Sequence, residues 1–205
     1  MGFYAAQVVP RLIDKACGMK ANTEVRQRVC ADLRGDVVEL GFGSGLNVPH
    51  YPPAVSRVDA VEPADVGWRL AADRLAAATV PVQRAGLDGQ RLPFPDDSYD
   101  AALSTWTLCT IPDVRAALLE LRRVLKPGAT LHFAEHGLAP DKGVQRWQHR
   151  VEPLQKRMAG GCHVTRPVAG LLIAAGFEIL RLEEFYEKGA PKVVGAQSVG
   201  VAVSP

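Results

Sequence analysis

The sequence predicts an α/β fold with a mostly parallel sheet and helices on both faces. Strand-like apolar stretches alternate with stretches of helical period along most of the 205 residues. The stretch Val37–Leu40, apolar apart from Glu39, runs into Gly41, Gly43 and Gly45 on alternate positions. Glycine lacks Cβ, so backbone there can turn tightly and lie against a ligand. No repeat, low-complexity tract or long linker breaks the pattern, and the length suits one domain spanning 1–205. A helical segment at 1–34 precedes it, and residues 137–166 form an insert.

In chain order, Thr23 is placed to cap a helix carrying Val25, Val29 and Leu33 on one face, with Gly35 ending it. Val37–Leu40 is the first strand and Arg57–Val61 the second, ending at Glu62. Residues 65–78 read as a helix with Trp68, Ala71, Ala72 and Leu75 inward. Pro81–Arg84 is a weak third strand and Tyr99–Ser104 the fourth. Val114, Leu118, Leu121 and Leu125 mark a helix that stops at Lys126-Pro127-Gly128. Ala129–Ala134 is the fifth strand. The insert carries its own stripe, Trp147, Val151, Leu154 and Met158, and its length suits a lid or binding loop. Thr165 is placed to cap a helix through Leu171, Leu172 and Ala175 that ends at Gly176. Phe177–Phe185 and Ser198–Val203 then form a hairpin at the sheet's edge.

The composition excludes several functions. A hydrophobic fraction of 47% with 22% charged residues is ordinary for a globular domain. The net charge is +2 with no block of like charge, so nucleic acid is not indicated as a partner. Cys17, Cys30, Cys109 and Cys162 are scattered, with no C-x-x-C pair, which implies neither a disulfide framework nor a zinc knuckle. A cytoplasmic setting is expected. No apolar run reaches the roughly 18 residues of a membrane span. Gln7, Pro10, Arg11 and Asp14 interrupt any signal-peptide pattern.

The glycine spacing separates two cofactor classes. A dinucleotide fingerprint counted from Gly41 needs a glycine where Leu46 stands. Glu39-Leu40-Gly41-Phe42-Gly43-Ser44-Gly45 instead resembles motif I of the class I S-adenosylmethionine methyltransferases. The stretch from Asp88-Gly89-Gln90 through Leu92-Pro93-Phe94 to Ser98-Tyr99-Asp100, with Leu125-Lys126-Pro127-Gly128, is similar to their type-11 branch. That resemblance implies a Rossmann-like seven-stranded sheet whose last strand is antiparallel. It implies S-adenosylmethionine as cofactor and S-adenosylhomocysteine as product. Gly41, Gly43 and Gly45 would meet the methionyl part, with Glu39 orienting its amino group directly or through water. Glu62 would accept the ribose hydroxyls, unless it is simply a solvated strand-end acid. Pro63 would pack on adenine, Asp88 would accept from its amine, and an N–H of Gly89 or Gln90 would donate to the ring. Asn47 and Thr105 complete the cofactor set.

A narrower likeness rests on Gly45-Leu46-Asn47-Val48-Pro49-His50-Tyr51-Pro52-Pro53, on Thr107–Ile111, on Glu135-His136, and on Trp147-Gln148, Glu152-Pro153 and Gly161–Arg166. These resemble the thiol S-methyltransferases of the methyltransferase-like-seven type. Animal members carry a hydrophobic membrane anchor, which is not expected here, leaving peripheral contact through the amphipathic Phe3–Ile13 as an option beside ordinary packing.

The resemblance implies a small-molecule methyl acceptor, most simply a thiol or sulfide, and a monomer or homodimer. Tyr4, Trp106, Thr107 and Trp147 are the candidate acceptor contacts. Trp106 reads equally as core, and Cys109 as a small buried hydrophobe. His136, after strand five, is a candidate base or hydrogen-bond partner, or a histidine locking its loop. His149 lies off the apolar stripe and reads as a surface histidine. Cys109, His136, Cys162 and His163 show no ligand spacing, so no metal is expected. Other readings are an O- or N-methyltransferase of an aromatic, quinone-like or lipid substrate, and a protein that binds the cofactor or its product without turnover. A nicotinamide oxidoreductase is opposed by the glycine spacing.

Overall fold

The computed structural model describes residues 11, 14, 15 and 17–205. Tyr4 and nearly all of Phe3–Ile13 lie outside them. The elements are α1 (Lys20–Cys30), β1 (Gly35–Leu40), β2 (Val55–Val61), α2 (Asp65–Leu70), α3 (Ala72–Ala76), β3 (Val82–Gly86) and β4 (Tyr99–Thr105). They continue with α4 (Val114–Val124), β5 (Leu125–His136), α5 (Lys142–Met158), α6 (Val168–Ala174), β6 (Glu178–Tyr186), α7 (Lys192–Gly195) and β7 (Ala196–Val203).

The seven strands form one sheet in the order β3-β2-β1-β4-β5-β7-β6. Strands β1 to β5 pair in parallel, and β7 runs antiparallel to both neighbours. This is the Rossmann-like arrangement with a reversed last strand. The hairpin at residues 178–203 is present, with β6 on the edge and β7 inserted beside β5.

Alternation along β1 explains why the strands read as nearly continuous apolar runs. Val37 packs with Leu103, Val25 and Val29 on one face, while its neighbour Val38 packs with Leu118, Leu121, Leu131 and Leu172 on the other. Both faces are covered, so both sets of side chains are buried. The strand order reverses between β1 and β4, which opens a crevice outside their carboxyl ends. The loops that follow β1, β4 and β5 meet there.

Several local expectations are corrected. Helix α1 begins at Lys20, and Met19 precedes it without a side-chain cap, so Thr23 lies inside the helix. The helix ends at Cys30, and Gly35 opens β1. The 65–78 helix divides at Ala71, which is buried, whereas Ala72 faces solvent. Thr165 caps nothing. Its backbone N–H and hydroxyl both donate to Glu152, and Pro167 precedes α6.

Helix α5 lies within the insert expected from the sequence. Trp147 is 57% exposed and Leu154 62% exposed, so these two stripe residues point outward. The inward face is polar. Gln148, fully buried, accepts from the Ala139 N–H at 2.9 Å and donates to the Gly137 carbonyl at 3.0 Å. Gln145 donates to the Ala139 carbonyl at 2.8 Å. The irregular backbone after β5 needs hydrogen-bond partners, and a buried polar face supplies them. Among the described residues, no helix is long and apolar enough to cross a membrane.

Candidate active site

The glycine loop leaves β1 with Gly41, Gly43 and Gly45 all at positive φ (+73°, +59° and +74°). A Cβ at Gly41 would lie 2.0 Å from Thr107 Oγ1, so this glycine permits both the turn and the close approach of the loop after β4. Above Gly43 the loop is open: a Cβ there would meet nothing nearer than 4.0 Å.

Glu62, at the carboxyl end of β2, is tied to this loop. Its carboxylate accepts from the Gly43 N–H at 2.6 Å and from the Ala64 N–H at 2.7 Å. Burial raises its pKa against the opposing pull of the two amides. It is therefore more than a solvated strand-end acid. Pro63 beside it is exposed, as is Asp88 beyond β3. Asp88 Oδ1 accepts from the Gln90 N–H at 2.9 Å and its side-chain amide at 3.2 Å, so of the two candidate ring donors the Gln90 amide is already engaged. The Gln90 side-chain oxygen Oε1 accepts from the Asp113 N–H at 2.8 Å. A Cβ at Gly89 would lie 2.4 Å from Leu40 Cδ1, which packs this segment onto β1.

Glu39 is fully buried beneath the loop. One carboxylate oxygen accepts from Asn47 Nδ2 at 2.8 Å, and the other accepts from the Tyr51 hydroxyl. Burial pushes its pKa up to about 7, against the Tyr51 and Asn47 hydrogen bonds and the charge of Arg26. Its partners continue outward. Arg26 Nη1 donates to Asn47 Oδ1 at 2.7 Å and to Thr105 Oγ1 at 3.1 Å, and its guanidinium lies 4.6 Å from the Trp106 ring centroid. Asn47 Nδ2 also donates to Thr105 at 3.0 Å. Arg26 is only 5% exposed, and its Nε has no hydrogen-bond partner.

Trp106 holds a positive φ of 50°, sparsely populated for a non-glycine residue and a form of local strain that concentrates at functional sites. Its N–H donates to Ala134 at 2.7 Å, which pins it across the ends of β4 and β5. The His136 ring lies 6.4 Å from the Trp106 ring, centroid to centroid. Glu135, fully buried, organises the loop after β4: it accepts from Ser104 Oγ at 2.7 Å, the Thr107 N–H at 3.1 Å and the Cys109 N–H at 3.4 Å.

The end of the insert is stitched onto this loop. Arg166 donates to the Leu108 carbonyl and, at 2.6 Å, to that of Ile111. The His163 N–H donates to the Cys109 carbonyl at 2.8 Å, while its ring turns away to Glu152 at 3.0 Å. The side chains of Cys109, His136 and Cys162 thereby converge, with all ligand-type atoms within 4.8 Å of one another. The neighbouring Cys162 thiol and burial hold the Cys109 thiol well above its ordinary range, whereas Cys109 and His136 hold that of Cys162 below it.

The strand-end crevice thus joins Glu39, the glycine loop, Asn47, Glu62, Thr105, Trp106, Thr107 and His136. Trp147 is outside it, facing solvent under the Arg150 guanidinium, and His149 is exposed as expected. Sequence reading missed Arg26, Tyr51, Glu135 and Arg166 as organisers. A usable signal existed for two: Arg26 shares the α1 face with Val29 and Cys30, and Glu135 directly follows the apolar pair Phe133-Ala134 near the carboxyl end of β5. A separate groove lined by Asp96, Arg122, Arg123 and Pro205 lies at the amino ends of the strands, away from this chemistry.

Residues 38–133 match the family described as a methyltransferase domain. The chain is 34% identical over 164 residues to the thiol S-methyltransferase TMT1B of Rattus norvegicus, covering 74% of this chain and 66% of the rat protein. It is 28% identical over 136 residues to the phosphatidylethanolamine N-methyltransferase of Cereibacter sphaeroides, covering 60% of this chain and 63% of that one. The chain spans just under two thirds of the length of either relative. A crystal structure from Bacillus halodurans C-125 shares the fold with a TM-score of 0.75 at 16% identity, covering 90% of this chain and 99% of its own.

Proposed function

We propose that this chain transfers a methyl group from S-adenosylmethionine to the sulfur of a small thiol or sulfide. The supporting observation is contiguity: the donor-type loop and the aromatic rim of Trp106 and His136 meet where Thr107 sits on Gly41. The similarity to a thiol S-methyltransferase over most of the chain supports sulfur as the acceptor atom.

The residues suit the cofactor. The open side of Gly43, the buried carboxylate of Glu62, the exposed face of Pro63 and the exposed Asp88 follow one another along the strand ends. In this reading Glu62 accepts ribose hydroxyls, Pro63 supports adenine, and Asp88 with the Gly89 N–H reads its edge. Arg26, held by Asn47 and Thr105, presents fixed positive charge toward the methionyl carboxylate. Glu39 acts one layer below by fixing Asn47. When bound, the cofactor supplies an electrophilic methyl carbon and a neutral leaving group, so acid catalysis is not required.

The protein's contribution is positioning and exclusion of water. An unperturbed thiol, with a pKa near about 8.5, is a minor thiolate at neutral pH, and His136 is placed to take its proton. Trp106 and Thr107 line the acceptor side, with the insert 137–166 as its cover.

Incubation with methyl-labelled cofactor and panels of alkyl and aryl thiols, phenols, amines and phosphatidylethanolamine vesicles tests this. Methylated thiol is the expected product. Label only in phenols, amines or the lipid refutes sulfur transfer, and tight cofactor binding with no product from any panel points to a binding protein.

A further inference from the structure

We propose that Cys109, Cys162 and His136 form a site for a thiophilic divalent cation, Zn²⁺ above all, with a fourth position open to an acceptor thiolate. The role of the open position rests on the thiol reading above; the metal site itself does not.

The argument is geometric. The two Sγ atoms and a ring nitrogen lie within 4.8 Å of one another. Tetrahedral zinc, with Zn–S about 2.3 Å and Zn–N about 2.0–2.1 Å, places its ligand atoms about 3.5–3.8 Å apart. Side-chain adjustments of about 1 Å close that gap. The ligands come from three elements, namely the loop after β4, the end of β5 and the end of the insert, so the fold itself assembles the set. Each is braced. Glu135 and the His163 N–H hold the backbone of Cys109, the Cys162 N–H donates to the Ala159 carbonyl at 3.1 Å, and Arg166 fixes the carbonyls of Leu108 and Ile111.

Ligand chemistry selects the ion. Two sulfurs and an imidazole favour zinc-like cations over the hard, oxygen-seeking Mg²⁺ and Ca²⁺. Three protein ligands are the pattern of sites that keep a coordination position for water or substrate. His136 is partly accessible and faces the Trp106 side, whereas Cys109 and Cys162 are buried. Two thiolates neutralise the ion, and a third, from the acceptor, is balanced by the nearby Arg166 guanidinium. Coordination releases the acceptor's proton to bulk water, so in the loaded protein His136 is a ligand and the ion keeps the sulfur ionised. The sulfur–methyl bond then forms as the sulfonium–methyl bond breaks, and the neutral thioether leaves.

The probe is Co²⁺, titrated anaerobically into reduced, chelator-stripped protein. One equivalent is expected to give intense thiolate-to-cobalt charge transfer and tetrahedral visible bands, both erased by Zn²⁺. Cys162→Ser and His136→Ala are each expected to weaken Co²⁺ binding at least about tenfold, while calorimetry shows cofactor binding, and hence the fold, intact. Adding a small thiol is expected to intensify the charge-transfer band. Absence of that band at equimolar Co²⁺, or unchanged affinity in Cys162→Ser, overturns the site. An unchanged spectrum on adding thiol overturns the open position. A normal cobalt spectrum from protein that methylates no thiol refutes the thiol reading and leaves the site standing. Thiol methylation by protein that binds no metal does the reverse.

Discussion

Glu39 makes the acid–base behaviour of the fold testable. It is fully buried, and its pKa rises from the ordinary 4.5 to about 7. One pKa unit corresponds to about 1.36 kcal/mol, so the shift is worth on the order of 3 kcal/mol. The folded protein therefore keeps a proton that the unfolded chain releases. The contribution of this proton to stability is complete below about pH 4.5 and is lost as pH rises through about 7. Above that, the fold holds an ionised carboxylate eased only by Tyr51, Asn47 and Arg26. Glu39→Gln removes the titration. It also alters one hydrogen bond, but that change does not vary with pH. Urea unfolding of both proteins from pH 5 to pH 8.5 is the assay. The mutant's stability relative to wild type should rise with pH by up to about 3 kcal/mol. Glu62 and Glu135 shift in the same direction, so the wild-type slope is reduced and not abolished in the mutant. A mutant–wild-type difference that stays constant across this range refutes the buried, proton-holding Glu39.

Two further perturbations address the loop and the insert. Gly41→Ala places a methyl at φ +73° against Thr107; left-handed backbone alone costs about 1–3 kcal/mol. Thermal unfolding should show that loss and calorimetry a collapse of cofactor affinity, and normal affinity would contradict the loop assignment. Gln148→Leu strands the Ala139 N–H and the Gly137 carbonyl, each worth about 1–3 kcal/mol when left unsatisfied. Urea unfolding should report a loss of that size, and a loss below about 0.5 kcal/mol, the surface range, would show that α5 does not rest on its glutamines.

The sheet and the glycine loop were legible in the sequence because both obey short-range rules. Val37 and Val38 must face opposite layers in any parallel strand, and three alternate glycines after an acid leave few backbone options. Glu62 was legible because it follows an apolar strand. The side on which helix α5 packs was not legible, because periodicity shows that a stripe exists and not which side is inward; here the carbonyls and amides around Gly137 and Ala139 are met by Gln145 and Gln148. Local spacing likewise could not join Cys109 to Cys162, since an arginine clamp in tertiary space does so. Arg26 escaped notice because a cation on an apolar helix face acquires meaning only beside Asn47, Thr105 and Trp106.

The division of labour along the chain has a practical corollary. Everything proposed to grip the nucleoside precedes residue 91, and everything that shapes the opposite wall follows residue 104, the two halves touching where Thr107 rests on Gly41. Swapping the 106–111 loop together with residues 136–166, clamp and proposed ligands included, should change the acceptor side while sparing the residues proposed to grip the methyl source. Exchanging either piece alone separates Arg166 from the carbonyls it braces.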